Sequence, residues 1–409
     1  MMENKVRTPR RTNNSRLPFD VPLLLITASL LVFGIVMVYS SSWDASLLID
    51  KPTTYVFSRQ MMWVTAGLIL AALLSRIDYH LYGKVVVLVM LGIIVLLVLV
   101  LLVGDERFNS KRSLLNGSIQ PGELAKVWIV IYLSFWLTGH KENLKDIGNG
   151  LIPLVFIIGV VAALIILQPD LSAALTIALL GGIMFFLAGG DWKQLVLILV
   201  FGVLLAFVMY AISTTARIRI DEYLKGLQNP TEGSYHIRRT FEAIIKGGFF
   251  GVGLGKADTK FTGLPLPHSD SIFAVIAEET GLLGAFVVIA LYAMLIWRGL
   301  KIARRAPDQL GSLISFGLVS WVVIEAMINI LVIVGLFPFA GNALPLISAG
   351  GSSMVATLAA IGITMNVARQ GVAKEENDER SQASATVDLR GRDWRRSVSG
   401  ANRFRDSEE

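Results

Sequence analysis

Residues 85–103 read VVVLVMLGIIVLLVLVLLV, nineteen positions without one charged side chain. At the helical rise of 1.5 Å per residue the run is about 28 Å long, close to the hydrocarbon thickness of a bilayer. Backbone polar groups have no water to bond in lipid, so a segment of this kind is helical and spans the membrane. Similar runs recur on both sides of it. Counted at roughly 20 residues each, they predict ten spans, over 19–41, 56–74, 82–103, 124–137, 151–167, 171–188, 192–212, 272–300, 310–336 and 344–368. The expected fold class is therefore an all-α, polytopic membrane protein with about ten transmembrane helices.

The composition agrees with this reading. Of 409 residues, 54% are hydrophobic and 17% charged, against about 25% charged in soluble domains. Cysteine is absent, which excludes a disulfide framework, a thiolate metal site and a cysteine nucleophile. Four scattered histidines do not make a histidine metal cluster. The net charge of +6 suits basic cytoplasmic flanks and anionic headgroups better than nucleic acid, and no nucleic-acid partner is expected.

Lys and Arg set the orientation. Residues 1–18 form a basic tail with Lys5, Arg7, Arg10, Arg11 and Arg16. The turn after the eighth span holds Arg298, Lys301, Arg304 and Arg305, and the last span is followed by Arg369 and Lys374. Ten spans put these segments on one side, so both termini are expected in the cytoplasm. No small-residue cleavage site follows the first run, which is read as a retained span and not a signal peptide. The membrane domain then covers 19–371, and 372–409, of mixed charge and no apolar period, is expected to be a disordered cytoplasmic tail.

The same count places 213–271, the large polar interval between spans seven and eight, outside the cell. It carries Arg217, Arg219, Arg238, Arg239, Lys246, Lys256 and Lys260. Long loops translocate largely regardless of charge, and this much positive charge outside points to an anionic ligand. The interval closes with Leu264-Pro265-Leu266-Pro267-His268-Ser269-Asp270. Asp270 precedes the apolar run of span eight. It is suited equally to helix capping and to acid–base work, and a helix N-terminus would favour its ionised form. Glu278 and Glu279 lie two turns into the span, where ionisable groups face a bundle interior, a wet cavity or a loop arginine.

Glu123 and Lys126 share a helix face after Pro121, and Glu325 and Asn329 share another; a local ion pair and interhelical hydrogen bonding are the plainer readings, a charged central cavity the functional one. Asp170, in the short turn between spans five and six, is a candidate cap. The Gly247–Gly255 cluster lacks the Lys-Ser/Thr of a phosphate loop and the strand–turn–helix setting of a dinucleotide site. Ser352, in Gly350-Gly351-Ser352-Ser353, lies where backbones approach closely.

Taken in order, five of these stretches resemble the SEDS family (shape, elongation, division and sporulation) of FtsW and RodA proteins. They are Gln120-Pro121-Gly122-Glu123-Leu124-Ala125-Lys126, Gln168-Pro169-Asp170-Leu171-Ser172, the Gly247–Gly255 cluster, 264–274 with Glu278, Glu279 and Gly281, and Leu344-Pro345-Leu346-Ile347-Ser348 leading to Ser353. The last is closer to the FtsW form. The chain departs from the pattern at 110–115, at Ser234-Tyr235-His236, at Arg239-Thr240, at Pro267 and at Glu325.

The resemblance implies a peptidoglycan glycosyltransferase of the bacterial cytoplasmic membrane, polymerising lipid II on its outer face for cell division or cell shape. Partners would be lipid II, the growing glycan strand, a class B penicillin-binding protein and other divisome or elongasome membrane proteins. Asp270 matches the family's essential acid and would act as the general base. Substrate contacts would come from Arg217, Arg219, Lys126, Glu123, His268 and Arg239, with Asp170, Glu278, Glu279 and Ser352 in support. The leaving pyrophosphate needs positive charge, from Arg217, Arg219 or lysines of the insert, or from a divalent cation (Mg2+ or Mn2+); no other cofactor is expected. Two rival classes are a flippase that moves lipid II across the bilayer, with which Glu123, Lys126, Asp170, Glu278, Glu279 and Glu325 are compatible, and a scaffold without turnover that recruits the transpeptidase through its spans.

Overall fold

The computed structural model describes residues 19–107, 110–114, 120–229 and 233–401; the basic tail 1–18 lies outside them. The helices in chain order are α1 (Val21–Ser41), α2 (Trp43–Leu47), α3 (Tyr55–Leu74), α4 (Val86–Val103), α5 (Pro121–Gly139), α6 (Ile152–Leu167), α7 (Leu171–Leu187), α8 (Trp192–Ile212), α9 (Thr214–Gln228), α10 (Tyr235–Gly247), α11 (Ile272–Arg304), α12 (Gln309–Ile333) and α13 (Gly351–Ala401). Among the described residues eight helices are long and apolar enough to cross a membrane. The fourth and sixth predicted spans correspond to α5, which carries Glu123 and Lys126, and to α7, which is apolar but only 17 residues long.

The bundle is built around α12, which packs on α5, α7, α11 and α13. Its buried Leu313, Ile314, Trp321 and Val322 lie at the centre of the apolar core. The α8 helix stands apart, packed chiefly on α7 and α9, so the wall beside α6 and α7 is open. At one end, Arg298 forks onto Asp20 at 2.8 and 2.6 Å, while Asp20 also caps α1 through the Leu23 amide. This joins the start of α1 to α11 with a paired, half-buried charge.

Several expectations change. The tenth span does not start at 344. Helix α13 begins at Gly351, and 344–350 is irregular, with Leu346 left-handed at φ 67°. The residue before Pro345 is biased away from helix, and serine side chains compete for its backbone. The eighth span is two helices joined at Gly281 (φ 70°, ψ −173°), where the chain of 248–253 presses in and hydrogen-bonds to residues 278–283. The polar interval is not a plain loop. It holds α9 and α10, and α10 lays Ile237, Thr240, Ala243 and Gly247 on α11 at helical spacing.

A two-stranded antiparallel ribbon, β1 (Asp105–Arg107) with β2 (Ser110–Ser113), follows α4, and no apolar alternation announced it. The segment 372–401, expected to be disordered, instead continues α13 to Ala401. Ala, Glu, Gln and Arg there favour helix, and extension from an anchored span needs no new nucleus. Residues 402–409 lie outside the described ones.

Candidate active site

Two irregular turns meet at the end of the bundle opposite the Asp20–Arg298 pair: 264–271, ahead of α11, and 341–350, ahead of α13. They are bonded directly. The Ala349 amide donates to the His268 carbonyl at 2.8 Å, and the Ser348 hydroxyl donates to the Ser269 carbonyl at 2.7 Å. Asn329, on α12, donates to the Asp270 carbonyl at 2.9 Å and to the Asn342 carbonyl at 2.6 Å. Gln60, buried on α3, grips the second turn through the Ser348 carbonyl and the Gly350 amide. On α1, Gly34 allows that turn to approach: a Cβ there would lie 2.6 Å from Ile347 Cα.

Asp270 is therefore held by its backbone, and its carboxylate is left for other work. The cap of α11 is Ser271, and no side chain caps that helix. The capping reading of Asp270 does not hold. Its Oδ1 accepts from the Ser269 hydroxyl at 3.0 Å. Burial pushes the carboxyl above the ordinary carboxylate range, Ser269 and Arg112 oppose that, and the charge of Asp170 adds to it. This is the reverse of the lowering expected from a helix N-terminus. The physical cause is that desolvation outweighs a dipole to which the side chain is not hydrogen-bonded.

Asp270 lines two cavities. The inner one, about 220 Å3, is polar and is shared with Glu123, Lys126, Asp170, Glu325 and Ser352. Lys126 donates to Glu123 at 2.8 Å and to Glu325, and lies 5.6 Å from the Trp321 ring centre. The buried ammonium thus faces two carboxylates. Ser352 accepts from the Gln120 amide at 2.8 Å. Asp170 is the cap of α7, accepting from the Ala173 amide at 3.1 Å, as the plainer reading had it, and its other oxygen lies 3.9 Å from Arg112.

The outer pocket, about 600 Å3, brings Asp270 together with Arg112, Arg219, Glu222, His236 and Phe339. Arg219 sits 5.7 Å from the Phe339 ring centre. It also lines a third cavity, about 300 Å3, almost wholly apolar, between α6, α7, α8, α9 and α12. A basic group thus marks the junction of a wet pocket and an apolar one.

The other candidates are elsewhere. Arg217 turns away, donating to the Ala211 carbonyl at 3.3 Å and lying over Tyr210. Arg239 pairs with Glu242 at 2.5 Å and lines none of these cavities. His268 contributes its carbonyl to the turn, while its buried ring Nδ1 has no partner. Glu278 and Glu279 are fasteners. Glu278 accepts from the Asp258 and Thr259 amides at 2.9 and 3.3 Å, and Glu279 from Lys260 at 2.8 Å and Ser40 at 2.5 Å. They tie the 258–260 turn to α11, and α11 to α1.

Reading the sequence missed Arg112, Gln60, Asn342 and His236. Arg112 donates to the carbonyls of Gln168 and Pro169 and brings a positive charge to the Asp170 side of the site. Its signal was faint: it falls in the 110–115 segment that departs from the family pattern.

A family model described as a cell cycle protein (FtsW/RodA/SpoVE) matches residues 21–372. Among curated proteins, the chain is 35% identical over 356 residues to a probable peptidoglycan glycosyltransferase FtsW of Trichlorobacter lovleyi, covering 85% of this chain and 93% of that one. It is 36% identical over 357 residues to the stage V sporulation protein E of Bacillus subtilis, covering 86% and 97%. Among solved structures it is similar to a chain from work on polymerization and crosslinking by a peptidoglycan synthase complex, with TM-score 0.73, 26% identity and coverage of 87% and 99%. The rod shape determining protein RodA of Thermus thermophilus gives TM-score 0.64 at 26% identity, covering 87% and 98%.

Proposed function

The chain belongs to the FtsW/RodA/SpoVE family of cell cycle proteins, and from that premise we propose that it is a peptidoglycan glycosyltransferase polymerising lipid II into glycan strands at the outer face of the bacterial cytoplasmic membrane, both termini lying in the cytoplasm. One observation carries the reading. The Asp270 carboxylate, free of capping duty, lines a pocket shared with Arg219, and Arg219 also lines an apolar cavity. A lipid-linked pyrophosphate sugar has the matching parts: an isoprenoid for the apolar cavity, a pyrophosphate for the arginine and a sugar for the outer pocket.

In the proposed step the 4-hydroxyl oxygen of the acceptor sugar bonds to the anomeric carbon of the donor as the bond from that carbon to the pyrophosphate oxygen breaks, with inversion. Asp270 takes the hydroxyl proton. Its raised proton affinity suits a base that must hold that proton through the transition state. The leaving lipid diphosphate keeps the electron pair, and Arg219 meets the charge that develops on it. No covalent intermediate is required, unlike the paired-carboxylate retaining route.

A divalent cation fits the described residues poorly. No cluster of three or more carboxylate or imidazole groups among them has the arrangement to hold a metal ion, and Asp170 is engaged with Arg112 and the α7 amide. The FtsW-like form of 344–353 and the FtsW-named relatives support the division branch, and a class B penicillin-binding protein is the proposed transpeptidase partner.

The test is polymerisation of purified lipid II by the full chain and by Asp270→Asn. The amide keeps size and cannot take a proton, so we expect glycan synthesis to be lost while the unfolding temperature holds. Polymerisation by the variant at the wild-type rate removes Asp270 from the mechanism. Labelled lipid II crossing proteoliposome membranes with no glycan formed would support the flippase instead.

A further inference from the structure

His236 is where the polar insert touches the turn that carries Asp270. It projects from α10 with its ring buried, Nε2 lying 2.7 Å from Ser271 Oγ. The Ser271 hydroxyl also bonds to the Pro265 carbonyl. A carbonyl has no proton to give, so the hydroxyl proton is committed to Pro265 and Ser271 Oγ must accept from His236. That defines the tautomer: Nε2 carries the proton, and Nδ1 is a buried lone pair without a partner. The ring centre lies 4.2 Å from that of Phe339, whose other neighbour is the Arg219 guanidinium. Leu266, inside the bonded turn, is left-handed at φ 45°, a conformation that persists only where its surroundings impose it.

We infer that His236 is a positioning residue: as a neutral Nε2–H donor it holds Ser271, and through Ser271 the backbone from which the Asp270 carboxylate is aimed. Asn329, Ser348 and Ala349 fasten the same turn from the α12 and 341–350 side; His236 fastens it from the insert. The inference rests on Asp270 being the base of the proposed reaction. It assigns α10 a part in catalysis without contact to the reacting atoms. The plain alternative is a buried histidine that serves stability alone.

The experiment uses the full chain in proteoliposomes. His236→Leu removes the donor, His236→Gln restores an N–H donor of similar reach, and Ser271→Ala removes the acceptor. For His236→Leu we expect kcat of lipid II polymerisation to fall about 10- to 100-fold, with KM and unfolding temperature near wild type. His236→Gln should recover most of that loss. Ser271→Ala, which also takes the donor from the Pro265 carbonyl, should lose at least as much as His236→Leu, and the double variant should be no worse than Ser271→Ala. Deuterium exchange over 265–272 should rise about tenfold in His236→Leu and return in His236→Gln.

A wild-type kcat in His236→Leu, equal losses in the Leu and Gln variants, or losses that add in the double variant would each overturn the inference. Should the wild-type chain make no glycan, the glycosyltransferase reading fails and the exchange arm alone decides: unchanged exchange at 265–272 refutes the positioning, raised exchange upholds it. If His236→Leu does not fold, Ser271→Ala with the same two measurements takes its place.

Discussion

Asn329 bonds to both turns of the site, donating its side-chain amide to the main-chain carbonyls of Asp270 and Asn342. One side chain on α12 thus joins two segments that have no regular structure of their own. Asn329→Ala leaves two main-chain carbonyls without their donor, at about 1–3 kcal/mol for each that stays unpaired. We expect a lower unfolding temperature and a lower polymerisation rate together, read by thermal unfolding and by glycan synthesis on the same preparation.

Lys126 stands between two carboxylates, so its partners are not equivalent in what their loss does. Lys126→Met strands Glu123 and Glu325 in the core and should cost about 3–5 kcal/mol. Glu325→Gln leaves one ammonium against one carboxylate and should be close to neutral. Thermal unfolding of the two variants side by side checks the order; a Glu325→Gln loss as large as that of Lys126→Met contradicts it.

Two histidines outside the spans should bend the stability curve in opposite directions. His80 bridges Asp78 and Asp308 at 2.7 Å each. Burial lowers its pKa, but the hydrogen bonds and charges of the two carboxylates outweigh this and raise it above the ordinary 6.5. Its contribution is therefore present below 6.5 and fades as pH rises through the higher folded value. For His236, burial lowers the pKa to about 4, so the fold must exclude a proton that the unfolded chain accepts. That costs stability progressively as pH falls from 6.5 toward 4. Unfolding temperature measured across pH should lose its alkaline slope in His80→Gln and its acid slope in His236→Gln.

Asp78 titrates on the acid side of the same clasp. Burial raises its pKa, but the Gln370 amide, the His80 amide and the imidazole together lower it to about 2. Its contribution is complete above 3.8 and is lost as pH falls toward 2, well clear of the His80 range. Asp78→Asn should therefore weaken the clasp at neutral pH. The check is proteolysis at the 75–80 turn, which we expect to quicken in the variant.

Gly281 admits no replacement. Its φ of 70° with ψ of −173° is glycine territory, and a Cβ would lie 2.4 Å from the Phe249 carbonyl oxygen. Gly281→Ala should cost about 1–3 kcal/mol in backbone strain alone, before the clash is counted. The readout is the yield and unfolding temperature of purified protein.

Much of this architecture was legible in local pattern. Runs such as 85–103 announced their helices because lipid leaves a polypeptide no other way to satisfy its backbone. The polar interval and the acid at its end were visible for the same reason, as exceptions to it. What was not legible were the irregular stretches inside apolar sequence. Leu344 to Gly350 looks like the start of a span, and only the carbonyls and amides of Gln60, His268 and Ser269, far away in the chain, hold it open. The amphipathic faces of α9 and α10 were hidden by their charge.

The sequence by itself determined that this is a helical membrane protein with a basic polar insert ending in Asp270, since hydropathy and charge act residue by residue. Only the tertiary structure decided that Asp270 does not cap the helix it precedes. Whether a carboxylate caps its own helix or is left free depends on how its turn is held, and here Ser271 stands at the cap position, the 341–350 turn takes the carbonyls of His268 and Ser269, and Asn329 takes the Asp270 carbonyl. Its proton affinity was likewise set by burial between α7, α11 and α12 together with Arg112 and Asp170, an environment that no local stretch of sequence encodes.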